Sequence, residues 1–247
     1  MPTGANKKKK YTYVWVSAII LLFGIFAVYE ITKRVKGGDV VDKDRMSSMS
    51  KTAEVGFILN NGQKRSVPPF AFINQDSTLV TNQDYLGKVY IAEFFFTTCP
   101  TICPIMTKNL VELQNTFEDQ EDFGVVSFTI NPRYDTPSVL KNYANKYGIV
   151  DKDWNLLTGD QAKIYALAQE GFYILANEVE DAPGGFEHSG MFALIDKNGY
   201  IRSRKDEYGN PLIYYRGTIT EEQGANAEGE EQQITMLKED IKKLLEE

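Results

Sequence analysis

The sequence predicts an α/β domain, in which helices cover both faces of a mainly parallel β-sheet, preceded by one apolar N-terminal helix. From residue 89 onward, segments with the composition of strands alternate with segments of helical period, an order typical of parallel strands joined by helices. The N-terminal helix is indicated by nineteen consecutive residues without a charge, at positions 11–29. With 247 residues, 43% of them hydrophobic, the chain is long enough for one domain of ordinary size and its appendages.

The apolar segment Tyr11–Tyr29 would be about 28 Å long as a helix, which is enough to span a bilayer. Four lysines, Lys7–Lys10, precede it, and positively charged flanks stay on the cytoplasmic side. No Ala-x-Ala cleavage site follows it, which favours an uncleaved anchor over a signal peptide. We therefore expect a basic cytoplasmic tail at 1–10, a transmembrane anchor at 11–29 and a C-terminal domain outside the cytoplasm, on the periplasmic side in a bacterium.

The charge of the chain is divided unevenly between its two parts. Residues 1–50 include nine basic and four acidic residues, a net charge of +5, whereas residues 51–247 carry a net charge of −12. The negative net charge of residues 51–247 argues against nucleic acid as a partner. Residues 30–50 are polar and show no apolar period, which is typical of a flexible tether. The folded domain is therefore expected at 51–247.

The domain begins with a predicted hairpin, whose arms Val55–Leu59 and Arg65–Ile73 flank the turn sequence Asn60-Asn61-Gly62. The run at 89–96 is apolar, aromatic and β-branched apart from Glu93, which is typical of a central strand covered on both faces. By the same criteria of composition, period and capping residues, the remaining elements are expected as follows: strands at 124–130, 155–158, 172–176, 190–195, 200–204 and 212–216, and helices at 103–118, Pro137–Tyr147, Asp160–Glu170 (closed by Gly171) and 234–245.

Both cysteines of the chain, Cys99 and Cys103, lie between the strand at 89–96 and the helix that follows it. Pro104 suits the first position of a helix, which places Cys103 at or near the N-cap. The unpaired amides and the helix dipole there lower a cysteine pKa and make the thiolate available at neutral pH. The four-residue spacing allows a redox disulfide, a metal chelate or two buried cysteines that act as small hydrophobes. The position between Pro100 and Pro104 favours the first two.

His188 is the only histidine of the chain, and a lone histidine is more often structural than a ligand. It precedes the strand at 190–195, however, and thioredoxin-type topology would put that segment beside the helix terminus with Cys99 and Cys103. Two thiolates and one imidazole suit a soft or borderline metal, and copper can use such a set as Cu(I) or as Cu(II). Structural zinc usually has a fourth protein ligand, which the sequence does not obviously offer.

Three motifs resemble those of the Sco/SenC family and occur in the family's order: Phe95-Phe-Thr-Thr-Cys99-Pro-Thr-Ile-Cys103-Pro104, Asn131-Pro-Arg-Tyr-Asp135-Thr-Pro137 and His188-Ser-Gly-Met-Phe-Ala-Leu-Ile-Asp-Lys-Asn-Gly199. The resemblance covers about residues 55–245, with the anchor in the family's usual place. Members of that family are membrane-anchored, thioredoxin-like copper proteins that help to assemble the dinuclear copper centre of cytochrome c oxidase. The resemblance therefore implies a thioredoxin-like sheet with flanking helices, and it implies Cys99, Cys103 and His188 as the copper ligands.

The chain departs from the family pattern at three positions. Many members have Asp between the cysteines where this chain has Thr101, and Asn131 and Tyr134 replace the first Asp and the Arg of the second motif. The first change removes a negative charge beside the thiolates. Asp135 or Thr136 is expected to cap the helix that begins at Pro137, and because a cap is the simplest role for Asp135 we do not include it in the site.

The main functional hypothesis is a non-enzymatic metallochaperone that delivers copper from Cys99, Cys103 and His188 to the copper-binding subunit of cytochrome c oxidase in the same membrane. A copper donor or a thioredoxin-like reductant would be a further partner. The first alternative is a thiol:disulfide oxidoreductase that uses the cysteine pair to reduce the cysteines of the oxidase copper site, although such enzymes typically have a Cys-x-x-Cys spacing. The second is a peroxiredoxin-like peroxidase, whose motif Thr98-Cys99 matches only loosely.

Overall fold

The computed structural model of the protein describes residues 7–36, 54–179, 181–205 and 210–247. The chain divides into two compact units, Met1–Arg45 and Met46–Glu247. In the first unit, helix α1 spans Lys7–Lys36, so it contains the predicted anchor and continues through residues 30–36, which the sequence assigns to the tether. Residues 1–6 of the predicted tail and 37–50 of the predicted tether lie outside the described residues.

Helix α1 exposes nearly all of its described side chains, which are those between Val14 and Tyr29. Over the described part of the chain, no helix combines the length and the apolarity needed to cross a membrane. The anchor at residues 11–29 stays a prediction.

The second unit forms thirteen strands and four α-helices among its described residues. The strands are β1 (Val55–Phe57), β2 (Leu59–Asn60), β3 (Gln63–Lys64), β4 (Ala71–Asn74), β5 (Leu79–Thr81), β6 (Val89–Phe95), β7 (Phe123–Thr129), β8 (Trp154–Thr158), β9 (Ala176–Glu178), β10 (Phe186–His188), β11 (Met191–Ile195), β12 (Ile201–Arg204) and β13 (Tyr215–Arg216). The helices are α2 (Cys103–Thr116), α3 (Pro137–Tyr147), α4 (Gln161–Ala166) and α5 (Ile234–Glu246).

The main sheet has the strand order β1-β12-β11-β6-β7-β8-β4-β5, and β13 pairs with β11. The three central strands β6, β7 and β8 are parallel, whereas the strands on both sides of them pair antiparallel. The expected mainly parallel sheet is therefore a mixed sheet. The reason is that short turns, rather than helical crossovers, join β4 to β5 and β11 to β12. The α/β class, with helices flanking the sheet, is confirmed.

Strand β6 is the central strand that its composition predicts, since all seven of its residues are buried. The aromatic ring of Phe94 packs against those of Phe128 and Phe172, with centroids 5.2 Å and 5.6 Å away. Glu93 is buried as well, where its Oε1 accepts a hydrogen bond from the hydroxyl of Ser127 at 2.7 Å. Burial raises the pKa of Glu93 to about 7. The end of β6 is thus buried in the core of the sheet.

The first hairpin is shorter than predicted. Only β2 and β3 pair, around Asn61 and Gly62, whose φ angles of 49° and 79° are those that an Asn-Gly turn adopts. The strands on either side of this hairpin lie on opposite sides of the main sheet: β1 pairs with β12, whereas β4 pairs with β5 and β8. The predicted arm Arg65–Ile73 is wrong as one strand, since Pro68 and Pro69 lack the amide hydrogen that a ladder requires.

Helix α3 has the predicted bounds. The predicted helix Asp160–Glu170 is wrong at its C-terminal end, where α4 passes into a π-helical turn that continues to Phe172. Gly171 does not close a helix as predicted: it packs against Pro68, and a Cβ atom at Gly171 would come within 3.0 Å of that ring. Because Phe172 belongs to the turn, the predicted strand at 172–176 is replaced by β9.

Helix α5 packs against the sheet through its predicted apolar stripe. It also makes one buried ionic contact with the sheet that the sequence did not indicate. Asp240, on the same face, pairs with Arg204 at 2.7 Å and accepts a hydrogen bond from the hydroxyl of Tyr215 at 2.7 Å. A buried carboxylate is tolerated when it is paired and hydrogen-bonded in this way. The buried members of the stripe are Ile234, Leu237, Ile241 and Leu244.

Candidate metal centre

The segment that carries both cysteines joins β6 to α2. As predicted, α2 begins beside Cys103: the N-cap is Ile102, and Pro104 lies in the first turn. The backbone amide of Cys103 donates a hydrogen bond to Cys99 Sγ at 3.5 Å. An amide that has no partner within the helix is therefore directed at the sulfur.

His188 precedes the strand at 190–195 as predicted, but it also ends a short strand that the sequence did not predict, β10. Strand β10 pairs with β9 in a separate two-stranded sheet, with Ala176 opposite His188. Strand β11 follows directly and runs antiparallel to β6, so its first residues lie beside the last residues of β6. This connection brings His188 to the cysteines, with Nε2 at 3.2 Å from Cys103 Sγ.

The three predicted side chains converge in one cluster. The ligand atoms of Cys99, Cys103 and His188 all lie within 4.8 Å of one another. The residues are only 7%, 1% and 9% exposed, respectively, and the ring of Phe96 packs edge-on against the imidazole with centroids 5.9 Å apart. An ion bound here would therefore be largely shielded from water, with access on the side of Cys99 and His188.

The two cysteines differ in protonation. The neighbouring side chain of Cys103 is the main reason why the pKa of Cys99 is lowered to about 3; the amides of Cys103 and Thr101 act in the same direction, whereas burial opposes them. Burial and the hydrogen bond to Cys99 raise the pKa of Cys103 above its usual value. The pair therefore favours negative charge on Cys99 and a proton on Cys103, and a metal ion that binds both sulfurs as thiolates would displace that proton.

The donor set fits a soft metal ion. Two thiolates and one imidazole suit copper, and Cu(I) is stable with sulfur ligands alone. Structural zinc would want a fourth ligand, and the cluster contains only these three candidate ligands within the residues that the structure describes. The two cysteines are not joined by a disulfide here, so the same pair is also chemically able to exchange with a disulfide.

Comparison with known proteins decides the family. A family model described as SCO1/SenC matches residues 60–215. The chain belongs to the SCO1/SenC family. Among its relatives, the SCO1 protein homolog of Bacillus subtilis is 34% identical over 137 residues, which cover 55% of this chain and 70% of that protein. A putative copper-binding protein of Stutzerimonas stutzeri is 30% identical over 146 residues, which cover 57% of this chain and 69% of that protein.

The fold of this SCO1/SenC protein is also found in a solved structure. BsSco, a member of the Sco family of cytochrome c oxidase assembly proteins in which a disulfide switch was identified, superimposes with a TM-score of 0.58. The alignment covers 74% of this chain and 94% of that chain, with 27% sequence identity. The predicted thioredoxin-like fold is thereby confirmed as that of the Sco family.

Two of the three departures from the family pattern concern residues outside the ligand cluster, Asn131 and Tyr134. The third, Thr101, contacts the cluster, with its hydroxyl 3.6 Å from Cys99 Sγ. A neutral hydroxyl therefore touches the sulfur of Cys99. Tyr134 is 55% exposed and Asn131 is partly buried.

Asp135 is a neighbour of the site and does not cap α3. The N-cap of α3 is Thr136, and the side chain of Asp135 points elsewhere. It is fully buried and accepts hydrogen bonds from the amide of Thr97 at 3.1 Å, from the hydroxyl of Thr97 and from the hydroxyl of Thr129. Burial raises the pKa of Asp135, although these hydrogen bonds oppose the change. Threonines at the ends of two neighbouring predicted strands were the signal that could have indicated this contact.

Proposed function

We propose that this SCO1/SenC protein is a membrane-anchored copper metallochaperone that serves the assembly of the dinuclear copper centre of cytochrome c oxidase. One observation carries the proposal: two sulfur atoms and one imidazole nitrogen lie within 4.8 Å of one another in a buried site. It is supported by the family, by the relative named a putative copper-binding protein, and by the place of BsSco among cytochrome c oxidase assembly proteins.

In this proposal copper is the cargo, and the three residues are its carrier. Cys99 and Cys103 would hold Cu(I) through two thiolates, whereas Cu(II), which prefers more ligands, would also take His188. Transfer needs no change of oxidation state. A thiolate of the recipient subunit binds the ion while one carrier sulfur leaves, and the ion passes through a shared intermediate without release into solution.

The role of His188 gives the first test. We expect His188→Ala to weaken Cu(II) binding by more than about 100-fold, which exceeds the effect of groups that only support a ligand, and to change Cu(I) binding far less. The reason is that Cu(I) tolerates two-coordinate sulfur ligation. The measurement is a competition with chelators for each oxidation state, together with the sulfur-to-Cu(II) absorption spectrum.

Glu187→Ala is the matched control, because Glu187 lies on the same short strand with an exposed side chain and does not belong to the ligand cluster. It should bind both ions like the unmodified protein. If the Cu(II) spectrum and affinity of His188→Ala are unchanged, His188 is a structural residue and the three-ligand site is wrong.

We also propose that α1 anchors the protein in the membrane, with Lys7–Lys10 in the cytoplasm and the copper-binding unit outside it. The proposal is supported by the uncharged run at 11–29 and by exposed apolar side chains such as Trp15 and Phe23. Apolar side chains that remain exposed over successive turns of one helix call for an apolar environment.

The topology can be read by labelling single cysteines in a background where Cys99 and Cys103 are serine. We expect a cysteine introduced by Ser47→Cys to react with a membrane-impermeant maleimide in intact spheroplasts, because it would lie outside the cytoplasm. The control Ala5→Cys, on the other flank of α1, should react only after lysis. The opposite labelling pattern would show that the topology is the reverse of the one proposed. Release of the protein from membranes by alkaline carbonate would show that α1 is not a membrane anchor.

A thiol:disulfide oxidoreductase is the second candidate function. It is favoured by the lowered pKa of Cys99, since an attacking cysteine must be a thiolate, and by the presence of Cys103 as a second thiol within reach. In such a reaction Cys99 attacks the substrate disulfide, releases the first substrate thiol and forms a mixed disulfide with the other substrate sulfur. Cys103 then attacks the sulfur of Cys99, which releases the second substrate thiol and closes the Cys99–Cys103 disulfide. A thioredoxin-like reductant would then have to supply two electrons to restore the pair.

A further inference from the structure

The loop that carries Cys99 is fixed at its start by a side chain from a different part of the chain. Thr97 is the second residue after β6, and it bonds to Asp135 twice, through its amide at 3.1 Å and through its hydroxyl. Asp135 lies in the connection between β7 and α3. A side chain far away in sequence therefore holds the backbone two residues before the metal-binding cysteine.

Asp135 is itself anchored in the sheet. It accepts a further hydrogen bond from the hydroxyl of Thr129, the last residue of β7. The backbone continues this link, because the amide of Ile130 donates to the carbonyl of Phe95 at 2.8 Å. The carboxylate thus joins the ends of two adjacent parallel strands. The carboxylate of Asp135 is fully buried, which carries a desolvation cost, and these hydrogen bonds offset that cost.

The two cysteines are held in position by different parts of the structure. Cys103 is the first residue of α2, so its position is set by that helix. Cys99 lies in the loop, where its amide bonds to the carbonyl of Phe96 at 3.2 Å, and its sulfur receives the amide of Cys103 at 3.5 Å. The distance between the sulfurs therefore depends on how firmly the start of the loop is held.

We propose that Asp135 is a positioning residue of the metal centre: it holds Thr97, and thereby the loop of Cys99, where both sulfurs and His188 can bind one ion. This inference rests on the proposed copper function. Cu(I) is stable with two sulfur ligands, whose positions can adjust, whereas Cu(II) needs all three ligands at once. Loss of the Asp135 contact should therefore affect Cu(II) more than Cu(I).

The test uses the full-length protein in detergent with three variants. Asp135→Asn weakens the charge-assisted hydrogen bonds, and Thr97→Val removes only the hydroxyl contact while keeping the shape of the side chain. Both should lower Cu(II) affinity by about 10- to 100-fold and shift the sulfur-to-Cu(II) absorption, as is typical when a group that orients a ligand is lost. Cu(I) affinity should change several-fold at most. Thr97→Ser keeps the hydroxyl and should behave like the unmodified protein.

Asp196→Asn is the matched control for a purely structural effect. Asp196 is also buried and accepts hydrogen bonds from the amides of Asn198 and Tyr200 at 3.0 Å and 2.9 Å. It follows Ile195, which pairs with Tyr90 at the start of β6, so it lies at the far end of the sheet from the cysteines. This variant should lower the melting temperature and leave the affinities for both copper ions unchanged.

The outcomes separate this inference from the copper proposal. If the unmodified protein binds no copper, the proposed function fails. If it binds copper and Thr97→Val has the same Cu(II) spectrum and affinity, the positioning role is wrong, whether or not Asp135→Asn folds. The role is also wrong if Asp196→Asn weakens Cu(II) binding as much as Thr97→Val does, because the effect would then follow stability alone.

Discussion

Cys99→Ser and Cys103→Ser are each expected to abolish tight copper binding by the full-length protein. Two thiolates supply most of the bonding to a soft cation, and a serine hydroxyl is a poor ligand that stays protonated at neutral pH. The unmodified, reduced protein should bind one copper ion. For each variant, Cu(I) affinity measured against a competing chelator should fall by well over about 100-fold, the upper end of the effect expected for groups that only support a ligand.

Thr107→Val provides the matched control for these variants. Thr107 lies one turn after Cys103 on α2, and its hydroxyl makes a buried hydrogen bond of 2.7 Å with the hydroxyl of Tyr143. The control should be less stable and still bind one copper ion. Stoichiometric Cu(I) binding at unchanged affinity by either cysteine variant would contradict the two-thiolate site.

Local sequence signals were sufficient to predict the part of the fold that builds the site. The apolar run that became β6 and the proline after Cys103 have short-range causes, since burial on both faces selects apolar strands and a missing amide is tolerated in the first turn of a helix. The bounds of α3 follow from Pro137 and Gly148 in the same way. These elements place both cysteines before any tertiary contact is known.

Contacts between distant residues were beyond the reach of the same reasoning. Strand β1 pairs with β12, with Gly56 opposite Ser203, and no local pattern specifies such a partner. Asp135 precedes a helix that begins with proline, so a cap was the simpler prediction. Its side chain is held instead by three hydrogen-bond donors, which are the amide and the hydroxyl of Thr97 and the hydroxyl of Thr129. The convergence of His188 with the cysteines was inferred from topology and family resemblance rather than from local sequence.

The cysteine pair cannot serve copper binding and disulfide exchange at the same time. A disulfide between Cys99 and Cys103 leaves no thiolate for a metal, so oxidation should prevent copper binding, and bound copper should in turn protect the thiols from oxidation. The two proposed functions therefore share two residues and differ in the third. Thiol exchange needs an attacking thiolate and a resolving thiol, whereas the three-ligand copper site also needs His188.

This difference leads to an expected result in cells. We expect cells that carry His188→Ala to lose most copper loading of cytochrome c oxidase, because the three-ligand carrier is incomplete. The purified variant should keep most of its ability to reduce a model disulfide, since both cysteines are intact. Oxidase copper content and activity in isolated membranes, and disulfide reduction by the purified protein, are the two measurements.

The control is again Glu187→Ala, which should load the oxidase normally, while Cys99→Ser and Cys103→Ser should fail in both assays. Protein levels must be equal in all strains, so that loss of function is not loss of the protein. The decisive comparison is between His188→Ala and the cysteine variants. If His188→Ala loads the oxidase normally while both cysteine variants fail, copper delivery through the three-ligand site is wrong, and reduction of the oxidase cysteines by the Cys99–Cys103 pair takes its place.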